Sequence, residues 1–247
     1  MSQARRIASH LIPQRYKLLY FIHRKSRRRN RPAEKILLRL LCSKQKASID
    51  IGANIGTMSY FLSKYSKENH AFEINPEVAA KLRRANLSNT KVYEMGLSDS
   101  RGPVWLRVPV AGFGPVFGCG TIEPANDLGG EKVVQRRLAV AMLDDFELQN
   151  VGIIKIDVEG HELAVLRGAI QTLERNRPSL IIEIVEKTNG HSFAEIVQLT
   201  SQLSYTCYRL AGKQLVPMSA IEDGAGDVDY YFLQPLVAEE MNARLGM

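Results

Sequence analysis

The chain has 247 residues, 45% of them hydrophobic, and a formal net charge of +7. This length is enough for one well-filled α/β domain with an appendage, and no internal repeat divides it. The three cysteines lie far apart and lack a C-x-x-C spacing, so the sequence predicts neither a disulfide framework nor a metal site, and it favours a reducing, cytoplasmic compartment.

The positive charge is concentrated in the first 46 residues. They contain 14 of the 33 Lys and Arg residues and one acid, Glu34, which leaves 19 basic and 25 acidic residues for the rest of the chain. We predict a basic, helical extension over residues 1–46. Three roles fit its densest run, residues 24–31: packing of nearby Leu and Ile side chains on the main domain, peripheral binding to an anionic membrane surface, or, least favoured, binding of nucleic acid.

Two kinds of N-terminal targeting segment bear on this extension, a cleaved secretory signal and an organellar transit peptide. The apolar run at residues 18–22 is too short for a membrane span or a cleaved secretory signal, and arginines follow it where small residues would be expected. An Arg-rich segment that is nearly free of acids also fits an organellar transit peptide. That alternative stays open.

A nucleotide-cofactor site is predicted where the motif Asp-Ile-Gly-Ala-Asn-Ile-Gly, residues 50–56, joins a strand to a helix. Residues 47–51 are apolar, β-branched and free of helix breakers, which predicts a buried parallel strand, and apolar residues recur at helical spacing over residues 58–65. Such a turn aims backbone N–H groups and the positive end of the helix dipole at a ligand. The next strand, residues 70–72, ends at Glu73, whose carboxylate is placed to accept hydrogen bonds from both hydroxyls of a ribose.

The type of cofactor is indicated by Asn54 and Asp50. The dinucleotide fingerprint G-x-G-x-x-G needs a second glycine for the close approach of a pyrophosphate, and Asn54 takes that position here. Asp50 would repel a pyrophosphate but attract a sulfonium or an amino group. S-Adenosylmethionine is therefore favoured over NAD, and an NAD-dependent oxidoreductase is the alternative. A strand-to-helix turn that binds no cofactor and needs glycine only for its backbone geometry would show the same glycine pattern.

Residues 153–161 form another segment in which an apolar strand ends in charged residues. Its four ionisable side chains are Lys155, Asp157, Glu159 and His161. Lys155 and Asp157 share a face of that strand, and in a doubly wound sheet Asp157 would lie beside Asp50. A functional site is the favoured interpretation of Asp157. Simpler roles stay open, because Glu159 or His161 could cap the helix that follows and Lys155 could pair with Asp157.

These motifs resemble the FkbM family of S-adenosylmethionine-dependent methyltransferases, in the same order and at similar spacing. The resemblance covers about residues 48–185 and implies a class I methyltransferase fold, an α/β, Rossmann-like, doubly wound sheet of seven strands within a methyltransferase domain at residues 47–247. It implies an acceptor oxygen on a small molecule or glycan, and it places Gly96, after the third strand, near the adenine. The matching segments are residues 50–56, 72–76, 143–145, 155–162, 166–169, 177–178 and 182–183.

Residue roles follow from the motifs and the resemblance together. Asp50 would orient the amino-acid end of the methyl donor, Glu73 would hold its ribose, and Asp157 would lie beside the path of methyl transfer. Glu159 and His161 are the nearest candidates for a base, and an imidazole titrates closer to neutral pH than a carboxylate does. The predicted cofactor-binding residues are Asp50, Gly52, Ala53, Asn54, Gly56, Glu73, Gly96 and Asp157.

The rest of the chain completes an α/β domain. A glycine-rich stretch over residues 111–130 lacks periodicity, and because it contains Phe113, Phe117 and Cys119 we interpret it as an acceptor-side lid rather than a solvated linker. The resemblance implies that the last two strands form an antiparallel pair. Further strands are predicted over residues 91–95, 104–108, 179–185, 205–210 and 229–233.

Overall fold

The chain folds into a large central sheet with helices on both faces and a smaller second sheet. The computed structural model describes residues 32–111, 114–116, 120–124, 126, 128, 132–184, 193–218 and 228–246. The helices are α1 Pro32–Leu41, α2 Thr57–Tyr65, α3 Pro76–Arg84, α4 Glu162–Arg167, α5 Ile170–Asn176, α6 Phe193–Gln202 and α7 Pro235–Leu245. The strands are β1 Ala47–Ile51, β2 Asn69–Phe72, β3 Thr90–Tyr93, β4 Gly96–Leu97, β5 Gly102–Ala111, β6 Gly114–Pro115, β7 Lys132–Ala141, β8 Val151–Ile156, β9 Ser179–Ile184, β10 Thr206–Ala211, β11 Gln214–Pro217 and β12 Val228–Leu233.

The main sheet has the strand order β11-β10-β12-β9-β8-β1-β2-β3. Strands β3, β2, β1, β8 and β9 pair in parallel, whereas β12 is antiparallel to both β9 and β10. The predicted doubly wound α/β fold and the antiparallel pairing of the last predicted strands are confirmed. The predicted number of seven strands is wrong, because the chain turns at Gly212, whose φ is 62°, and adds β11 as an eighth, edge strand beside β10.

The second sheet has the order β4-β7-β5-β6 and was not predicted. Its main pair, β5 and β7, is antiparallel along nearly its whole length. The sequence predicted β5 only, because the apolar residues of β7 do not alternate regularly with polar ones and only Val140 of that strand is buried. Leu106 and Val108 of β5 are buried. Phe113, Phe117 and Cys119 of the predicted lid lie outside the described residues.

Apolar layers pack on the two faces of the main sheet. On one face, Leu166 of α4 and Ile196 of α6 belong to a cluster that includes Ile154 of β8. On the other face, Leu62 of α2 belongs to a cluster that includes Ile153 of β8. The side chains of neighbouring residues in β8 therefore pack into apolar layers on opposite faces of the sheet, as alternation along a buried parallel strand requires.

Helix α1 is the described part of the basic N-terminal segment. Its residues Leu37, Leu38 and Leu41 are buried in the same cluster as Met241 of α7. This packing agrees with an extension that places its Leu side chains on the main domain, whereas residues 1–31, with the densest basic run, lie outside the described residues. Within the part of the chain that the structure describes, no helix has the length and apolar character needed to cross a membrane.

Candidate functional site

A cavity of about 390 Å³ lies at the carboxyl ends of β1, β2 and β8, where the second sheet covers the edge of the main sheet. Ligands bind at this edge in open α/β sheets, and the volume is that of a typical small-molecule site. Leu106 of the second sheet contributes to its wall. Six predicted site residues line it: Gly52, Asn54, Glu73, Gly96, Asp157 and Glu159.

The turn after β1 has a left-handed backbone at three positions. Gly52 has a φ of 77°, and a Cβ atom there would lie 1.8 Å from the carbonyl oxygen of Asp157. Gly56 precedes α2 with a φ of 91°, and a Cβ atom there would lie 2.3 Å from Cδ1 of Leu82. Asn54 has a φ of 51°, a region that asparagine tolerates better than most residues. Glycine at position 52 thus lets the ends of β1 and β8 approach each other, and glycine at position 56 leaves room for Leu82 of α3.

Glu73 presents a fixed carboxylate to the cavity. Its Oε2 accepts a hydrogen bond from the backbone N–H of Asn54 and its Oε1 accepts one from that of Asn75, both at 2.8 Å. Asn75 in turn caps α3, which begins with Pro76. Burial raises the pKa of Glu73 to about 7, against the opposing effect of the two N–H groups. The carboxylate is therefore held in one orientation at the end of β2.

Asp50 and Lys155 form buried contacts beneath the turn. Asp50 does not line the cavity; its Oδ2 accepts a hydrogen bond from Ser59 Oγ at 2.5 Å, and burial raises its pKa to about 6. Lys155 donates to Asp229 at 2.9 Å and lies 3.6 Å from Glu183, so Asp229 rather than Asp157 is its hydrogen-bond partner. Burial alone would lower the pKa of Lys155, but the surrounding carboxylates more than offset this and raise it.

The turn after β8 is held in an uncommon conformation. Glu159 has a φ of 52° and Gly160 a φ of 100°. The carbonyl oxygen of Glu159 accepts hydrogen bonds from Thr121 Oγ1 at 2.8 Å and from Asn126 Nδ2 at 2.9 Å. The N–H of Gly160 donates to Glu162 Oε1 at 3.0 Å, and burial raises the pKa of Glu162 to about 7. Such a left-handed turn persists only where its surroundings hold it in place.

His161 lies beside the cavity and does not line it. Its Nε2 is 2.9 Å from Ser98 Oγ and its Nδ1 is 3.1 Å from Glu123 Oε2. It stands at the N-cap position of α4, but its side chain makes no capping hydrogen bond. The structure thus brings Asp157 and Glu159 to the cavity, while the ring of His161 is packed between two elements of the second-sheet region.

Several polar residues at the site were missed by sequence reasoning. Ser59 follows Asp50 by nine residues on the first turn of α2, and that spacing is a signal that could have identified it. The other missed residues are Ser98, Thr121, Glu123 and Asn126. They come from the end of β4 and from the glycine-rich stretch, so no sequence spacing connects them to the turn after β8. Among the described residues, no group of three or more His, Cys, Asp or Glu side chains could hold a metal ion.

The chain is similar in sequence and in fold to known proteins. The family described as methyltransferase FkbM domain matches residues 50–207. The hexuronic acid methyltransferase AglP of Haloferax volcanii is 29% identical over 157 residues, which are 62% of this chain and 60% of that protein. The crystal structure of methyltransferase FkbM from Methylobacillus flagellatus superposes with a TM-score of 0.50 at 18% identity, over 77% of this chain and 44% of that one. A Streptococcus mutans protein solved in complex with SAH superposes with a TM-score of 0.46 at 11% identity, over 81% of this chain and 93% of that one.

The matches cover different shares of this chain and of the proteins it resembles. The chain spans about 60% of the length of AglP and 44% of the M. flagellatus structure, whose likeness shows a class I methyltransferase fold. The family match covers more than half of the chain and runs from Asp50 to Cys207, so it includes every residue proposed for the site. The chain is therefore a member of the FkbM family of methyltransferases.

Proposed function

We propose that this chain is an S-adenosylmethionine-dependent O-methyltransferase that acts on a hydroxyl group of a small molecule or glycan. Membership of a methyltransferase family implies S-adenosylmethionine as the methyl donor, and a relative named hexuronic acid methyltransferase supports an acceptor of the carbohydrate type. The observation that carries the proposal is the placement of the Glu73 and Asp157 carboxylates in one cavity, at the ends of the two strands that flank β1.

The described residues fit this donor. The Glu73 carboxylate is oriented by two backbone N–H groups and has further lone pairs for the two hydroxyls of a ribose. Ile74, Met95 and Leu97 give the adjoining part of the cavity an apolar surface suited to adenine. Gly96 belongs to that surface, since a Cβ atom there would lie 2.7 Å from Ile74 Cδ1.

Asp50 acts on the donor through its charge rather than through direct contact. It is 1% exposed and lies directly below Gly52, which lines the cavity. When ionised, it contributes negative potential under the turn, which favours a cationic sulfonium over a pyrophosphate. The hydrogen bond from Ser59 also fixes the start of α2 against β1.

The reaction requires alignment and removal of one proton. When bound, S-adenosylmethionine supplies an electrophilic methyl group on a sulfonium. The walls of the cavity would position the acceptor hydroxyl relative to the donor and limit the access of water. Asp157 and Glu159 both line the cavity, and Glu159 is our candidate to accept the proton of the acceptor hydroxyl. His161 is not, because both of its ring nitrogens contact protein groups outside the cavity.

The charge of the cavity favours an uncharged acceptor. Four acidic residues line it, and none of its described lining residues is Lys or Arg. Lys155 does not line the cavity; it pairs with Asp229 and, at 3.6 Å, with Glu183, so it offsets part of the charge of one lining residue. A hydroxyl group can donate hydrogen bonds to these carboxylates, whereas an anionic group at the same place would be repelled. The four acidic residues are Glu73, Asp157, Glu159 and Glu183.

Transfer of an isotopically labelled methyl group tests this proposal. The protein is incubated with labelled S-adenosylmethionine and either cell extract or a panel of p-nitrophenyl glycosides, and mass spectrometry identifies the labelled products. We expect methyl ethers from the wild type and none from Asp157→Ala, with Glu174→Ala on the exposed face of α5 as the matched control. Binding of S-adenosylhomocysteine without any labelled hydroxyl would refute the acceptor class, and absence of that binding would refute the donor.

A further inference from the structure

We propose that His161 is a positioning residue that acts through Glu123 to fix the acceptor-side segment, which we define as residues 120–124 and 126. This inference rests on the proposed function for its consequence, namely that the segment forms a wall of the acceptor site. Gly120 and Ile122 of the segment line the same cavity as Asp157. Their position therefore sets the space that is left beside the methyl-transfer path.

Strand β5 anchors one side of the acceptor-side segment. The backbone N–H of Arg107 donates to the carbonyl of Thr121 at 2.9 Å, and the N–H of Thr121 donates back at 3.0 Å. The guanidinium of Arg107 donates to the carbonyl of Asn126 at 3.0 Å and also to that of Glu123. These contacts attach the segment to the second sheet, but they do not fix it relative to the main sheet.

The turn after β8 anchors the other side. Thr121 Oγ1 and Asn126 Nδ2 converge on the carbonyl oxygen of Glu159, which is accessible to both because Glu159 has a left-handed backbone. Thr121 Oγ1 also accepts a hydrogen bond from the N–H of Glu123 at 3.0 Å. The segment is thus joined to the residue that we propose as the base.

His161 completes this second anchor. A carboxylate only accepts hydrogen bonds, so the contact of 3.1 Å with Glu123 places a proton on Nδ1 of His161. In the neutral ring, Nε2 then accepts from the hydroxyl of Ser98 at 2.9 Å, a shorter contact than the 3.3 Å between that hydroxyl and Oδ1 of Asp99. Ser98 follows β4, and its N–H donates to the carbonyl of Ala141 at the end of β7. One imidazole therefore links the start of α4, the second sheet and the acceptor-side segment.

The two side chains that contact the ring of His161 are buried. Ser98 is 4% exposed and Glu123 is 8% exposed. A proton taken from an acceptor hydroxyl has no vacant nitrogen to reach on His161, since both nitrogens have protein partners outside the cavity. Loss of the ring removes the contact that ties Glu123 to α4. The donor half of the site, at Glu73 and the turn after β1, makes no contact with the ring and should be unaffected.

Two substitutions separate positioning from base catalysis. His161→Ala removes both contacts, whereas His161→Asn places an amide nitrogen close to the position of Nδ1, so it can still donate to Glu123 but cannot act as a base. His70→Asn is the matched control, since His70 is also buried, contacts Tyr93 through its Nδ1, and lies on β2 away from the cavity.

Hydrogen exchange of the full chain bound to S-adenosylhomocysteine gives the first result. We expect His161→Ala to raise amide exchange at Thr121 and Glu123 about tenfold, since one hydrogen bond to a charged group is lost. His161→Asn should return it to within about threefold of wild type, and His70→Asn should leave it unchanged. Affinity for S-adenosylhomocysteine should stay within about twofold in all three variants. Unchanged exchange in His161→Ala would overturn the proposal.

Methyl transfer gives the second result, measured with the p-nitrophenyl glycoside that the wild type methylates. We expect His161→Ala to raise the KM of the glycoside about tenfold or more, and His161→Asn to restore the wild-type KM. The fall of kcat towards low pH should remain in His161→Asn, because the base that causes it is a different residue. Equal loss of kcat in both variants at unchanged KM would make His161 the base and overturn the positioning role. If no glycoside is methylated, the proposed acceptor fails, and the exchange result alone then supports or refutes the positioning of the segment.

Discussion

The pH dependence of cofactor binding tests the role of Glu73. Burial raises the pKa of Glu73 to about 7 from an ordinary value of 4.5. The hydroxyls of a bound ribose donate to the ionised carboxylate, so binding favours loss of its proton. The affinity for S-adenosylhomocysteine should therefore increase as the pH rises towards about 7, and it should level off above that value.

The size of this effect follows from the same pKa. A carboxyl group with a pKa of about 7 is only about one-tenth ionised at about pH 6, so the Kd there should be about tenfold weaker than at about pH 8. Glu73→Gln removes this titrating group and should reduce the change in Kd over this range to about twofold or less, the most that ionisation of Asp50, with its pKa of about 6, would contribute. It also removes a charge-assisted hydrogen bond worth about 1.5–3 kcal/mol, so binding at about pH 8 should weaken about ten- to a hundredfold.

The free energy of unfolding of the ligand-free protein should fall as the pH rises, whereas the affinity for S-adenosylhomocysteine should increase. The folded-state pKa of Glu73 is raised, so the folded protein holds this proton more tightly than the unfolded chain does, and stability falls as the pH rises from 4.5 to about 7. The two pKa values correspond to about 3 kcal/mol at most. Glu73→Gln should therefore fold at neutral pH, and its loss of affinity cannot be ascribed to unfolding.

Isothermal titration calorimetry at about pH 6, 7 and 8 measures the binding effect. Glu174→Gln, on the exposed face of α5, is the control for loss of one carboxylate. Equal wild-type affinity at the lowest and highest pH, or wild-type affinity in Glu73→Gln, would refute the assignment of Glu73 to the ribose.

Three further outcomes are expected. Gly52→Ala should lower the free energy of unfolding by about 2–4 kcal/mol in urea titrations, because its Cβ atom would meet the carbonyl of Asp157, and a loss below about 0.5 kcal/mol would contradict that geometry. Lys155→Met should cost about 3 kcal/mol by leaving partly buried carboxylates without their cation, and adding Asp229→Leu should recover much of the loss; a double variant no more stable than the single one would argue against the pair. A p-nitrophenyl glucoside should be methylated at least about tenfold more efficiently than the matching glucuronide, and the reverse order would contradict the charge argument for the cavity.

Local features of the site could be predicted from the sequence because each depends on few neighbouring residues. Gly52 and Asn54 have left-handed backbones, and Glu73 stands at the end of β2, where Asn75 caps the next helix. The strand and helix periods located β1, α2 and β8, and the resemblance to the FkbM family implied the doubly wound sheet that contains them. These features were accessible because turn chemistry and side-chain alternation act over a few residues.

The remaining features depend on contacts between distant segments. The residue pair Ser98 and His161 is separated by 63 positions, and no spacing rule connects them. Glu123 lies in a glycine-rich stretch whose lack of periodicity gave no indication of its partner. The edge strand β11 and the strand β7 were missed because each is largely exposed and lacks a regular apolar pattern. Tertiary pairing, not local propensity, decides their structure.

The central claim is that the cavity over β1 and β2 holds a methyl donor and not a dinucleotide. Titration of the full chain with S-adenosylhomocysteine and, separately, with NADH tests it most directly. The account predicts saturable binding of S-adenosylhomocysteine that is weakened by Glu73→Gln, and no binding of NADH. Saturable binding of NADH, with no heat from S-adenosylhomocysteine, would contradict it.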